Sequence, residues 1–183
     1  MSISMSKTRE QFPLSTKKVL KKTVVRTLVC AILLLNIYGF SALMLLSAPQ
    51  SIRPHLGIPT FVFFVLFFLI VVIIYLHQWW YYNTYFYDFT FDYIVIKKGP
   101  ITPREITIPY ERIQDVYVDQ DLFDRFFGLY DVHLSSATIT SGIEAHIDGV
   151  EKPAADGLRA MLLQTVSERI SKNRVPIPPQ VQQ

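Results

Sequence analysis

Two uncharged stretches dominate the pattern of polar and apolar positions: residues 27–46, twenty in number, and residues 57–82, twenty-six. A helix rises about 1.5 Å per residue, so about twenty residues cross a hydrocarbon core of about 30 Å. Residues 61–74 (FVFFVLFFLIVVII) show no polar face, which a helix buried in a soluble protein would normally keep. The pattern predicts a two-helix transmembrane hairpin at residues 24–82, with helices over about 24–46 and 58–80. Pro49, Pro54, Gly57 and Pro59 interrupt the helical pattern between them, and a connection of about ten residues suits antiparallel helices.

After residue 83 the continuous apolar run gives way to short β-rich segments. Residues 85–91 and 93–98 read as strands on either side of Asp92, the second rich in β-branched side chains. Gly99 and Pro100 supply a turn. In residues 101–109, Ile106 and Ile108 alternate with Glu105 and Thr107, a period of two. Ile113, Val116 and Val118 mark a further strand. Residues 121–127 (DLFDRFF) read as a helical turn stopped by Gly128. Residues 130–137 and 142–150 read as a further hairpin, with its turn at 140–142. From Pro153 on, Leu158, Met161, Leu162, Thr165, Val166 and Ile170 recur at three- and four-residue spacing. That spacing predicts an amphipathic helix of about eighteen residues, with Gly157 as its weak point. The Pro- and Gln-rich residues 175–183 are expected to be disordered. Strands closed by one C-terminal helix argue an α+β domain over residues 83–174, a bent sheet or barrel capped by that helix.

Charge adds a direction. Lys7, Arg9, Lys17, Lys18, Lys21, Lys22 and Arg26 precede the first helix against the single acid Glu10, whereas residues 83–183 carry ten basic and fourteen acidic side chains. The net charge of +3 therefore belongs to a basic tail at residues 1–23, and the folded domain gives no sign of nucleic-acid binding. Positive residues stay on the cytoplasmic side, so the hairpin is expected in the plasma membrane with both termini cytoplasmic. The long charged start and long apolar run favour an uncleaved anchor over a signal peptide. Trp79, Trp80, Tyr81 and Tyr82 are candidate membrane-interface anchors, since such rings favour the headgroup layer. Asn36 is the one amide in the first stretch and is a candidate for a hydrogen bond between helices.

Candidate chemistry is sparse. Asp119, Asp121 and Asp124 are closely spaced, but the glycine and distal glutamate of a calcium loop are missing. His55, His77, His133 and His146 have no metal-ligand spacing, although His133 and His146 lie on expected strands and would pair across them. The lone Cys30 offers no disulfide. No nucleophile elbow or phosphate-cradling loop is present. The chain is expected to be no enzyme, with no cofactor and no metal. Lys97, Lys98 and Arg104 flank the first tight turn and are candidates for contact with anionic lipid headgroups.

Several segments in order resemble a known family. Ile108-Pro109-Tyr110-Glu111-Arg112-Ile113-Gln114-Asp115-Val116 is similar to its "IPY-x-x-I-x-x-V" segment, and Arg125-Phe126-Phe127-Gly128 to its "R-x-x-G" segment. Val132-His133-Leu134-Ser135-Ser136-Ala137 then resembles the strand that follows, although without the glycine common at its end. The family is the bacterial pleckstrin-homology-like (PH-like) domain of YdbS/YdbT-type membrane proteins. The resemblance covers about residues 75–171 and implies a seven-stranded bent sheet capped by the final helix. It implies no agreed biochemical activity. The expected role is a non-catalytic interaction or assembly module at the cytoplasmic membrane face, whose partners are the lipid bilayer and a protein partner or homo-oligomer. The alternatives are a headgroup-sensing domain and a small subunit of a transport complex. Against the last, neither apolar stretch carries an intramembrane charge.

Overall fold

The computed structural model describes residues 6–47, 57–136 and 145–173. The expected connection at 48–56, the turn at 140–142 and the tail at 175–183 lie outside these residues. In chain order the elements are α1 (Lys7–Gln11), α2 (Lys17–Leu46), α3 (Gly57–Thr84), β1 (Phe86–Phe89), β2 (Tyr93–Lys98), β3 (Arg104–Pro109), a 3₁₀ turn at Tyr110–Arg112, β4 (Ile113–Asp119), α4 (Leu122–Phe127), β5 (Leu129–Ser136), β6 (Ala145–Glu151) and α5 (Lys152–Asn173). They fall into two units: residues 19–83, and residues 6–18 together with 84–173.

In the helical unit, α2 and α3 are each long and apolar enough to cross a membrane, and none of their most apolar windows is buried. Phe61 is 71 % exposed, and Ile37, Phe40 and Phe68 are similarly bare. An exposed apolar face of this extent marks a membrane or partner surface. The two helices run antiparallel: the Lys22 ammonium lies 5.6 Å from the centre of the Tyr81 ring, and the Tyr38 hydroxyl meets that of Thr60 at 2.9 Å. Tyr38 also packs on Phe63, with ring centres 4.6 Å apart. Asn36 does not bridge the helices. Its amide donates to the Ile32 carbonyl one turn back, 2.7 Å away, satisfying itself on its own helix.

The second unit is α+β. β1–β2–β3 and β4–β5–β6 form two three-stranded antiparallel sheets, with Ile96 opposite Tyr87 and Ile106, and Val132 opposite Val118 and Ile147. The described residues thus hold six strands in two sheets, where the resemblance implied seven in one. The break falls at Pro109, which has no amide hydrogen to continue a ladder, and at the 3₁₀ turn that redirects the chain into β4. Gly99 has a φ of 100°, and a Cβ there would meet the Thr102 carbonyl oxygen at 2.7 Å, so the β2–β3 turn requires glycine. α5 packs on β4, β5, β6 and the 3₁₀ turn; its Ala155, Leu158 and Leu162 are buried, as are Val116, Val132, Leu134 and Ile147 on the strands. Its far end is pinned by Arg169, whose guanidinium lies 3.8 Å over the Phe91 ring and 3.2 Å from the Asp92 carboxylate.

Asp121 caps α4 by accepting from the Asp124 amide at 2.6 Å, and the Asp124 carboxylate accepts from the Asp121 amide in return. Gly128, at φ 67°, ends the helix in the left-handed conformation. Two of the three closely spaced acids therefore serve helix capping.

The N-terminal segment departs from the expectation of a basic tail at residues 1–23. Ser6 caps α1, and this short helix lies along the outer edge of β1. There the Ser6 hydroxyl donates to the Tyr87 carbonyl, Arg9 donates to the Tyr85 carbonyl, and the Phe89 amide donates to the Thr8 hydroxyl at 3.0 Å. The chain then crosses to β6. Leu14 pairs with Val150 in an antiparallel bridge, and the Ser15 amide donates to the Gly149 carbonyl at 2.9 Å. Lys17 pairs with Glu151 at 3.0 Å, and the Lys18 ammonium meets Asp148 at 2.8 Å with side-chain exposures of only 2 % and 6 %. Lys18 also sits 3.9 Å over the Tyr85 ring. α2 consequently begins at Lys17, well before the expected residue 24. Gly157 is likewise no simple weak point: a Cβ there would meet the Phe12 ring at 2.3 Å, so its bare α-carbon is the seat of that ring.

Candidate functional site

The three basic residues at the β2–β3 turn do not form one cluster. Successive strand residues point to opposite faces. Lys98 stands opposite Arg104 in the register and shares its face, with the ammonium 5.8 Å from the Tyr85 ring centre. Lys97 points the other way, where it pairs with its cross-strand neighbour Glu105 at 3.0 Å. The aromatic residues at the end of α3 do come together. Tyr75, Trp79 and Tyr82 form a ring stack with centres 6.5 and 6.1 Å apart, Trp80 is exposed, and Tyr81 faces Lys22.

Strand edges organise the rest of the surface. An edge strand presents unpaired backbone donors and acceptors that another chain can complete. Residues 6–18 cover two of the four edges, those of β1 and β6, through the bonds given above. The outer edges of β3 and β4 have no strand beside them among the described residues. Sequence reasoning missed this division because it read residues 6–18 only as charge. A signal was available: Phe12, Pro13 and Leu14 are an apolar island in an otherwise polar run.

The outer face of the second sheet has a consistent chemistry. β4, β5 and β6 carry Asp115, Asp119, Asp131, Asp148 and Glu151 and no lysine or arginine. Tyr117, His133 and His146 occupy facing positions on the three strands. Their rings stack in a row, with centres 4.9 Å apart between Tyr117 and His133 and 5.3 Å between His133 and His146. The expected pairing of the two histidines is present. Asp119 accepts from His133 Nε2 at 3.1 Å. At the β4 edge, Asp115 accepts from the amide of its neighbour Val116 at 2.8 Å.

Little here is arranged for acid–base or metal chemistry. Among the described residues no three His, Cys, Asp or Glu side chains are placed to share a metal ion. A cleft of about 540 Å³ between residues 11–16 and the β6–α5 junction is lined by Phe12, Leu14, Pro153 and Ala154, with Glu151 its one ionisable group. Lys17 and Ser15 bond to that carboxylate and hold it below the usual range. Tyr110, which donates to the Thr90 carbonyl at 2.9 Å, is pushed up to about 12 by burial, against a smaller opposing pull from Arg169.

Comparison with known proteins agrees with this architecture. The family description "Bacterial PH domain" matches residues 25–166, most of the chain: the larger part of α2, all of α3 and the strands, and the first two-thirds of α5. No match was found among curated proteins or among solved structures. With two long apolar helices ahead of two antiparallel sheets and a closing helix, and with the family pattern running through all of them, the chain belongs to the bacterial PH domain family.

Proposed function

We propose that this protein is a membrane-anchored, non-catalytic interaction module of the cytoplasmic membrane face. The observation that carries the reading is the selective covering of sheet edges. Residues 6–18 cover β1 and β6, while β3 and β4 are left with no strand beside them among the described residues. Edge addition is an established recognition mode, and a membrane tether raises effective concentration so that weak contacts suffice. The folding of residues 6–18 with 84–173 as one unit supports a hairpin whose two ends lie on the same side of the bilayer. The basic residues at the start of α2 favour the cytoplasm as that side. A two-helix hairpin followed by one PH-like domain is the arrangement of the YdbS/YdbT type, to which we assign the chain.

Chemical cross-linking of the intact protein in its native membrane tests the reading. A defined homo-oligomer or one recurrent partner is expected. Recovery of monomer alone with cross-linkers of several lengths and chemistries overturns it.

A second reading, contact with anionic headgroups, draws on Lys98 and Arg104, which share one face of the β2–β3 hairpin. It predicts that anionic lipid slows amide exchange at residues 96–105 in nanodiscs. Equal exchange in neutral and anionic discs counts against it.

A further inference from the structure

We propose that the β4 edge receives an extended segment carrying an arginine, which stacks on Tyr117 between Asp115 and Asp119. This rests on the interaction-module reading and names the chemistry of the partner. Tyr117, His133 and His146 form a row of stacked rings running across the sheet. His133 covers one face of the Tyr117 ring, in near-parallel contact at 4°. The next position in that row, on the far side of Tyr117, belongs to a strand that would add beside β4. Tyr117 is 42 % exposed, and Asp115 and Asp119 are exposed as well.

On a sheet face, a side chain directly opposite reaches its partner at about 5 Å and the diagonal neighbours at about 7–8 Å. The residue added opposite Tyr117 would therefore have a tyrosine ring in front of it and a carboxylate on each diagonal. An arginine fits this setting on three counts: its planar guanidinium stacks on aromatic faces, it is always charged, and its donors fork toward carboxylates. Asp115 also accepts from the Val116 amide of its own strand at 2.8 Å, and a guanidinium drawing on that carboxylate would release the amide.

The molecule already uses both parts of this arrangement. At the opposite edge of the same sheet, the extended segment around Leu14 bridges to β6 and places Lys17 and Lys18 on Glu151 and Asp148. At the end of α5, Arg169 stacks on Phe91 while pairing with Asp92. β4 offers the same combination of strand edge, ring and carboxylates, on a sheet that contributes no cation of its own.

The test is a fluorescence-anisotropy titration of the full-length protein in nanodiscs. The probes are a short alternating Thr/Val peptide with one central arginine and its citrulline twin, which keeps the shape and loses the charge. Saturable binding of the arginine peptide is expected, about tenfold weaker for citrulline and weaker with added salt. Asp115→Asn with Asp119→Asn should weaken the arginine peptide by about the same factor, and Tyr117→Leu by about threefold. Equal binding of the two peptides to the wild-type protein overturns the assignment and needs no variant to fold. So does the absence of saturable binding. Either result, with cross-linked product still captured in membranes, leaves the interaction-module reading standing.

Discussion

Removing the Lys18 ammonium should loosen the PH-like unit far more than a lysine substitution normally does. An exposed ion pair contributes about 0–1 kcal/mol. Lys18 and Asp148 are different: they meet at 2.8 Å with side chains 2 % and 6 % exposed, and Lys18 also covers the Tyr85 ring. Taking one partner from a buried pair costs about 3–5 kcal/mol, because the remaining charge stays buried without its counterion. Lys18→Met should therefore raise the exchange rates of the most protected β6 amides by roughly two to three and a half orders of magnitude, at about 1.4 kcal/mol per factor of ten. Native-state hydrogen exchange of the full-length protein in micelles at neutral pH measures this directly. Lys18→Met combined with Asp148→Leu should recover more than half of the loss, since replacing both charges by apolar groups of similar volume is often close to neutral. The reasoning fails if Lys18→Met changes exchange by less than tenfold. It fails equally if the double variant is as unstable as the two single variants added together.

Other expectations follow from individual contacts. Gly157→Ala, which helix propensity alone would make stabilising by about 1 kcal/mol, should instead destabilise by about 1–3 kcal/mol because its Cβ strikes the Phe12 ring. In a Phe12→Ala background the same change should turn stabilising, a reversal readable by thermal unfolding. Asp121→Ala removes a reciprocal cap and should cost about 0.5–2 kcal/mol, with faster amide exchange confined first to α4. The Tyr110 phenol stays protonated in the fold to about 12, whereas an ordinary tyrosine ionises near 10.0. The unfolded chain thus loses this proton first, and stability should fall as pH rises from about 10 to 12. Tyr110→Phe should flatten that fall in alkaline unfolding curves; an unchanged slope would show that Tyr110 is not its source.

Much of the fold was legible because its signals are local. The two apolar helices, the Gly99 turn and the α4 stop at Gly128 each need only a window of a few residues to be recognised. A β-branched run identified β2 to the residue, and the expected strands at 130–137 and 142–150 paired His133 with His146. The N-terminal segment was illegible for the opposite reason. Its role depends on distant partners, such as Tyr85, 76 positions from Arg9, and Glu151, 136 positions from Ser15. Its lysines also answer to two roles at once. The same Lys17 and Lys18 that read as an orientation signal are ion-pair partners of β6. Gly157 follows the same logic, since propensity counts what a glycine loses and does not register the ring that uses the space. For the candidate site, the residue types around the β2–β3 turn were evident. What they do was decided by strand parity, which sends Lys97 to Glu105 and away from Lys98 and Arg104.

The clasp between the two ends of the chain has a consequence for biosynthesis. Lys18 and Asp148 are 130 residues apart, with both apolar stretches between them. At about 5–20 residues per second, Lys18 waits roughly 7–26 seconds on the ribosome before its partner is made. Throughout that interval the first residues must remain unfolded, soluble and on the side where the last strand will emerge. Two helices apolar enough to enter a bilayer need not wait, but the PH-like unit cannot close until β6 has been made. A bulky fusion at the amino terminus would therefore burden the final step of assembly while leaving insertion untouched.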